Sequence, residues 1–234
     1  MDGEIYNLTE ANSITLQVSL EGVSEDCNRV ELKNNLIATM KNFNGIGLSA
    51  NQCGIFERVF VMYDNFQKRE AIACFHPEIT YYGTETTLEN EGCLTYPGLW
   101  LKIKRPAMIE AQFEDEFGEV HTKKYSGLES RVFQHELDHM NGKNFTERVG
   151  KLKLDMAYKR REKQLKKSEQ YTNWSKLRQT NATSLMKRFR RTRLVILPFI
   201  DFPKALLSFA FEAPPRSSSS PAFSTSRLEP PGRR

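Results

Sequence analysis

Ser130-Arg131-Val132-Phe133-Gln134-His135-Glu136-Leu137-Asp138-His139-Met140-Asn141-Gly142 is the stretch around which the chain is organised. It contains His-Glu-x-x-His. On a helix, residues four apart lie one above the other on the same face, so His135 and His139 can hold one metal ion. Glu136 leans to the flank of that face, where water on the ion would sit. Val132, Phe133, Leu137 and Met140 are apolar and predict that the helix is buried. Two satisfied histidines and a solvated glutamate are the plain alternative. The chain has only four histidines, however, and two of them fall at ligand spacing. The third ligand is left open.

Working outward, the preceding segments read as short strands: Arg58–Tyr63, Ala71–Phe75, Ile79–Tyr82, Thr84–Leu88, Leu99–Lys104, Ala107–Phe113 and Val120–Tyr125, with Pro77, Gly83 and Phe117-Gly118 as punctuation. Before them, Leu32, Leu36, Ile37, Met40 and Phe43 recur at helical steps, which predicts a helix over 28–43 capped by Ser24 or Asp26 and stopped at Asn44-Gly45. The metal-binding helix is expected from Ser126 to Asn141. Antiparallel strands wrapped around one buried helix make an α+β architecture of small sheets.

Charge is unevenly distributed over the 234 residues. From Thr172 onward there are twelve Lys/Arg and three Asp/Glu, a net of +9 against +5 for the whole chain, which leaves 1–171 at about −4. The pI near 9.0 therefore belongs to a tail, and it carries no prediction of sequence-specific nucleic-acid binding. Four cysteines without a C-x-x-C pair fit a reducing compartment. The start lacks the basic flank and apolar core of a signal peptide, so a cytoplasmic location, bacterial or in a phage-infected host, is expected. Leu194–Phe211 is broken by Pro198, Asp201, Pro203 and Lys204, a poor membrane span. Lys151–Lys167 reads as a basic helix: a solvated face on the plain reading, a docking surface for RNA or an acidic partner on the sharper one.

For the third ligand, a downstream glutamate of the thermolysin kind would be Glu162, set unpromisingly among Lys159, Arg160, Arg161 and Lys163. The metzincin pattern needs a histidine where Phe145 stands. Upstream, Cys93 lies in Glu91-Gly92-Cys93-Leu94-Thr95. Thiolate with two imidazoles makes a three-ligand site with one open position, although a lone cysteine is more often a buried structural thiol.

Three segments, taken in order, resemble the peptide deformylases, whose boxes are G-x-G-L-(A/S)-A-x-Q, E-G-C-(L/x)-S and Q-H-E-x-D-H. Here they are Gly45-Ile46-Gly47-Leu48-Ser49-Ala50-Asn51-Gln52, Glu91-Gly92-Cys93-Leu94-Thr95, and Gln134-His135-Glu136-Leu137-Asp138-His139. The resemblance covers about residues 28–167. It implies the deformylase fold and removal of the N-formyl group from the N-terminal methionine of new proteins, releasing formate. It also implies that Cys93, His135 and His139 hold one divalent ion, Fe²⁺ foremost, with Zn²⁺, Ni²⁺ or Co²⁺ able to replace it. Glu136 would be the general base and then the acid; Gln52 and the Leu94 backbone N–H would stabilise the oxyanion. An N-formylmethionyl peptide would lie extended beside Gly47 and Glu91, its methionine in a pocket of Ile46, Leu128 and Val132. Arg131, Trp100 and Thr95 depart from residues common in the family, and Arg131 is expected to trim or polarise the pocket rim. Asp138 is expected to support the helix rather than bind metal.

The resulting division is an arm at 1–27, a catalytic domain at 28–150, a basic helix at 151–171 with ribosome docking as its possible role, and a low-complexity basic tail at 172–234. That tail is expected to be disordered or non-homologous.

Overall fold

The structure, a computed structural model, describes residues 3–169. The expected tail at 172–234 and the end of the basic helix lie outside the described residues.

Helix α1 (Arg29–Asn42) buries Leu32, Leu36 and Met40 on one stripe. Its cap is Asn28, whose side chain accepts from Glu31 N at 3.2 Å, rather than Ser24 or Asp26. Ser24 is held elsewhere: its backbone N–H donates to the Glu57 carboxylate at 2.8 Å. Asn44, at φ 54°, turns the chain out of the helix, a left-handed position that asparagine tolerates.

Strands β1 (Gly47–Ser49), β2 (Val59–Asn65), β3 (Glu70–Tyr82), β6 (Met108–Glu114) and β7 (Val120–Ser126) form one antiparallel sheet in the order β1-β2-β3-β6-β7. Strands β4 (Thr86–Glu91) and β5 (Leu101–Pro106) form a separate antiparallel pair. The sequence divides Ala71–Phe75 from Ile79–Tyr82, whereas the chain runs through both as β3. The break survives as a bulge: pairing with β6 shifts between Phe75 and Glu78, and His76 takes φ 47°. The extra residue is absorbed there, where Pro77 has no N–H to give to a ladder.

Helix α2 (Gly127–Met140) is buried on every side from Ser130 onward and packs on β1, β2, β6, β7 and β5. Phe133 is its anchor, edge-on to Phe60 with centroids 5.0 Å apart and stacked on Tyr125 at 5.6 Å. The N-terminal arm closes over the helix end, Leu20 N donating to Met140 O at 2.8 Å. Helix α3, at 151–169 within the described residues, seats Ala157 and Leu154 against Leu99, Leu101, Ile103 and Phe145. Among the described residues no helix is long and apolar enough to cross a membrane.

Candidate active site

Helix α2 presents His135 and His139 one turn apart with ring centroids 5.0 Å from each other. Cys93 reaches them from the turn that follows β4. The ligand atoms of Cys93, His135 and His139 all lie within 4.8 Å of one another, and Cys93 Sγ is 3.3 Å from His139 Nε2. Burial alone would raise the Cys93 thiol, but the charge and hydrogen bonds of His139 and His135 bring it well below 9.0. The sulfur is thus the thiolate that metal binding requires. Thiolate and imidazole donors converging on one buried point fit a divalent transition ion.

A ring of charge surrounds the donors. Glu91 Oε2 accepts from His135 Nδ1 at 3.2 Å. Burial pushes the Glu91 carboxyl up, but hydrogen bonds from His135 and Arg105 outweigh it and bring it to about 2. As a carboxylate it can only accept, so a proton stays on Nδ1, and Nε2 is the atom that would exchange its own proton for an ion. Arg105 Nε donates to Glu91 Oε1 at 2.6 Å, and its Nη1 to Asp138 Oδ2 at 2.9 Å. Arg148 Nε reaches the same Asp138 oxygen at 2.7 Å. Asp138 therefore anchors the helix on its far side, as its position in the motif implies. Arg131 lines the cavity without forming a rim, because its guanidinium turns inward to Glu91 Oε1 at 2.5 Å and Ile103 O at 3.0 Å.

Arg105 is the functional residue that sequence reasoning missed. The signal was there: in β5, Leu101, Ile103 and Arg105 point inward while Lys102 and Lys104 point out. A charge in the apolar phase of a strand needs a buried partner.

Gln52, in the short helix Ala50–Cys53 after β1, is held at both ends of its amide. Its Oε1 accepts from Ser49 N at 3.0 Å, and its Nε2 donates to Thr95 Oγ1 at 3.0 Å and to Cys93 Sγ at 3.3 Å. Thr95 thus still supplies the hydroxyl expected there. Gly47 is required by close approach: a Cβ on it would lie 2.5 Å from Glu136 Oε1 and 2.8 Å from Val132 Cγ1. Burial pushes the Glu136 carboxyl up to about 7 against the pull of His135 and His139, and Glu136 Oε2 is buried without a hydrogen-bond partner.

These groups open onto a cavity of about 430 Å³, a size suited to a small ligand or chain end. Ile46, Gly47, Gln52, Glu91, Cys93, Leu94, Leu128, Val132, His135 and Glu136 all line it; His139, 1% exposed, lies behind the wall. Neither protease ligand position supplies a donor to the cluster. Phe145 packs its ring 5.6 Å from that of His135, and Glu162 is exposed and paired with Lys166 at 2.6 Å.

The sequence model of the polypeptide deformylases matches residues 5–155. This chain belongs to the polypeptide deformylase family. A peptide deformylase of Prochlorococcus marinus (strain MIT 9312) is 38% identical over 148 residues, 62% of this chain and 73% of that one. Among solved deformylases, that of Synechococcus elongatus in complex with actinonin superposes with a TM-score of 0.63 at 28% identity, covering 68% of this chain and 91% of its own. The Acinetobacter baumannii deformylase with bound Met-Ala-Ser gives 0.58 at 28% identity, covering 64% and 100%. Deformylases are metalloenzymes, and the Cys93, His135 and His139 cluster is the group of donors in this one that could hold an ion, among the described residues.

Proposed function

We propose that Cys93, His135 and His139 hold one divalent ion and that the adjoining cavity takes the N-formylmethionine end of a new polypeptide. The activity is that of a deformylase: hydrolysis of the N-formyl amide, releasing formate and a free methionine amine. The observation that carries the residue roles is the convergence of three donor atoms to within 4.8 Å beside an unpartnered Glu136 oxygen. A divalent ion held there would supply Lewis acidity, which polarises a carbonyl oxygen and acidifies water near neutral pH. Fe²⁺ is the proposed resident, and Zn²⁺, Ni²⁺ or Co²⁺ suit the same thiolate–imidazole set.

Glu136 takes the proton of the attacking water and then delivers it to the departing methionine amine, first base and then acid. As negative charge builds on the formyl oxygen, Gln52 Nε2 and the Leu94 backbone N–H donate to it. Loss of one such donor raises a barrier by about 3–4 kcal/mol. Ser49 holds the Gln52 Oε1 in place, and the donation requires Nε2 to exchange one of its two present acceptors, Thr95 Oγ1 or Cys93 Sγ. Glu91 fixes the His135 ring through Nδ1, so that Nε2 would be the atom offered to an ion. The peptide lies extended beside Gly47 and the main chain of Glu91, with its methionine side chain among Ile46, Leu128 and Val132.

Residues 28–150 are the catalytic body, with the arm at 1–27 bracing α2. The basic helix at 151–167 docks on the ribosome, in the cytoplasm where formylated chains emerge; undiminished ribosome co-sedimentation after removal of 151–234 would overturn this. Trimming back to about residue 170 is expected to leave activity intact.

The deciding experiment measures formate release from formyl-Met-Ala-Ser under anaerobic conditions for the wild type and Glu136→Ala. Activity in the first and its near-complete loss in the second support the assignment. Full activity in the variant, or cleavage of a peptide bond in place of formate release, overturns it.

A further inference from the structure

A second groove, of about 770 Å³, opens beside the substrate cavity between the β4–β5 pair and α3. The two share Asn90, Gly98 and Trp100 in their walls. Trp100 is 61% exposed, and its ring lies about 3.2 Å from where a Cβ on Gly92 would be, so it forms the lip between them. Arg161 Nε donates to Pro97 O at 2.7 Å, tying α3 to the loop that carries this lip.

Beyond the lip the groove is positive. Lys102, Lys153, Lys159, Arg160 and Arg161 line it, and no carboxylate does. None of the five makes a side-chain ion pair among the described residues. Local structure accounts for the arrangement. Strand alternation turns Lys102 outward from buried Leu101 and Ile103, and helical spacing brings Lys153, Ala157, Arg160 and Gln164 to one face of α3. Between the cations the wall is apolar, from Leu88, Trp100 and Met156.

We propose that this groove is a downstream subsite that holds acidic residues of the formylated substrate beyond its third position. The inference rests on the deformylase reading and adds a substrate preference to it. An extended chain advances ~3.3 Å per residue, so a peptide whose first residues fill the cavity leaves it over Trp100 and enters the groove. There, unpaired cations attract carboxylates, and the apolar wall accepts the side chains between them. Nucleic-acid phosphates match the charge alone; the shared lip and the apolar wall favour a peptide here, and ribosome docking is left to the exposed cations of α3 outside the groove, Lys151, Lys163 and Lys167.

The test measures formate release at low salt from formyl-Met-Ala-Ser, formyl-Met-Ala-Ser-Asp-Glu-Asp and formyl-Met-Ala-Ser-Lys-Arg-Lys. The acidic hexapeptide is expected to exceed the basic one by about tenfold in kcat/KM, mostly through KM, as a few exposed ion pairs supply. That ratio falls towards unity in about 0.5 M salt. The triple variant K153A/K159A/R160A is expected to lose the preference and keep its rate on formyl-Met-Ala-Ser. Equal kcat/KM for the two hexapeptides, with the tripeptide hydrolysed, overturns the subsite and leaves the deformylase reading standing. Formate from none of the three overturns both. A variant that retains the preference while losing ribosome co-sedimentation assigns the cations to nucleic acid and overturns the proposal. Should the variant fail to fold, the wild-type salt series decides, and a preference indifferent to salt sinks the idea.

Discussion

Arg105 clasps Glu91 with two parallel hydrogen bonds, Nε to Oε1 at 2.6 Å and Nη2 to Oε2 at 2.9 Å. Arg105 is 1% exposed and Glu91 5% exposed. Through Glu91 the pair reaches His135, and through Arg105 it reaches Asp138 on the same helix. The candidate ligand helix is thus gripped at two points by one buried guanidinium on β5. A fork of this kind needs arginine, because lysine offers a point charge and cannot bridge two carboxylates in fixed geometry.

Replacing Arg105 with methionine leaves two buried carboxylates short of a partner. The Arg105→Met variant is expected to lose about 3–5 kcal/mol of stability, the usual cost of breaking a buried pair on one side. Its ion affinity should fall about 10- to 100-fold as His135 loses its support. Urea unfolding and competition with a chromophoric chelator measure the two; a loss below about 1 kcal/mol would show that the network is not under electrostatic tension.

Gly47 and Glu136 are in contact through space that a methyl group would occupy. Gly47→Ala is expected to displace the Glu136 carboxylate and lower kcat/KM about 100-fold, the scale of a misplacement near 1 Å. The melting temperature should move much less, because the clash is local. Wild-type kinetics in this variant would remove Glu136 from the catalytic role.

Metal removal should expose a single reactive thiol. In the chelated protein Cys93 is held as a thiolate by His139 and His135. Burial raises Cys53 to about 12 and Cys74 well above 9.0, and burial with the nearby Glu57 charge also raises the partly exposed Cys27. Iodoacetamide at pH 7 is therefore expected to label Cys93 first, and added Zn²⁺ to protect it. Peptide mapping reads the order; earlier labelling of Cys27, Cys53 or Cys74 would contradict it.

Acid should loosen the join between α1 and the sheet. A hydrogen bond from Arg29, reinforced by His76, holds the Glu114 carboxyl below its ordinary 4.5. A depressed carboxylate contributes stability above its unfolded pKa and loses it as pH falls through the folded one. The wild-type urea midpoint should therefore drop as pH is lowered from about 4.5, more steeply than in Glu114→Gln. Parallel curves for the two proteins would rule out Glu114 as a contributor. The group is partly exposed, so the effect is modest.

Much of this chain is legible without coordinates because its chemistry is carried by short spacings. Two histidines four apart on a helix must share a face, whatever surrounds them, and Gly47 and Gln52 are separated by too few residues to escape each other's neighbourhood. Strand alternation likewise marks Leu101 and Ile103 as inward. The N-cap was misplaced by two to four residues because Ser24 and Asn28 are equally good capping types; only the distant Glu57, which occupies Ser24, separates them. The bulge at His76 was read as a strand end because a left-handed residue and a proline look the same in a linear pattern whether the ladder stops or shifts.

By itself the sequence determined the α+β class and the one-turn spacing of the two histidines, since each follows from local period; Cys93 as third donor and Glu136 as base come from the resemblance of the three boxes and stand as proposals. The tertiary structure alone decided what holds them. Arg105 and Arg131 reach Glu91 from positions 14 and 40 residues away, and the groove beside Trp100 exists only where α3 meets β5. Contacts between segments so far apart leave no periodic trace, because their energy comes from burial and pairing that form only once the chain has closed on itself.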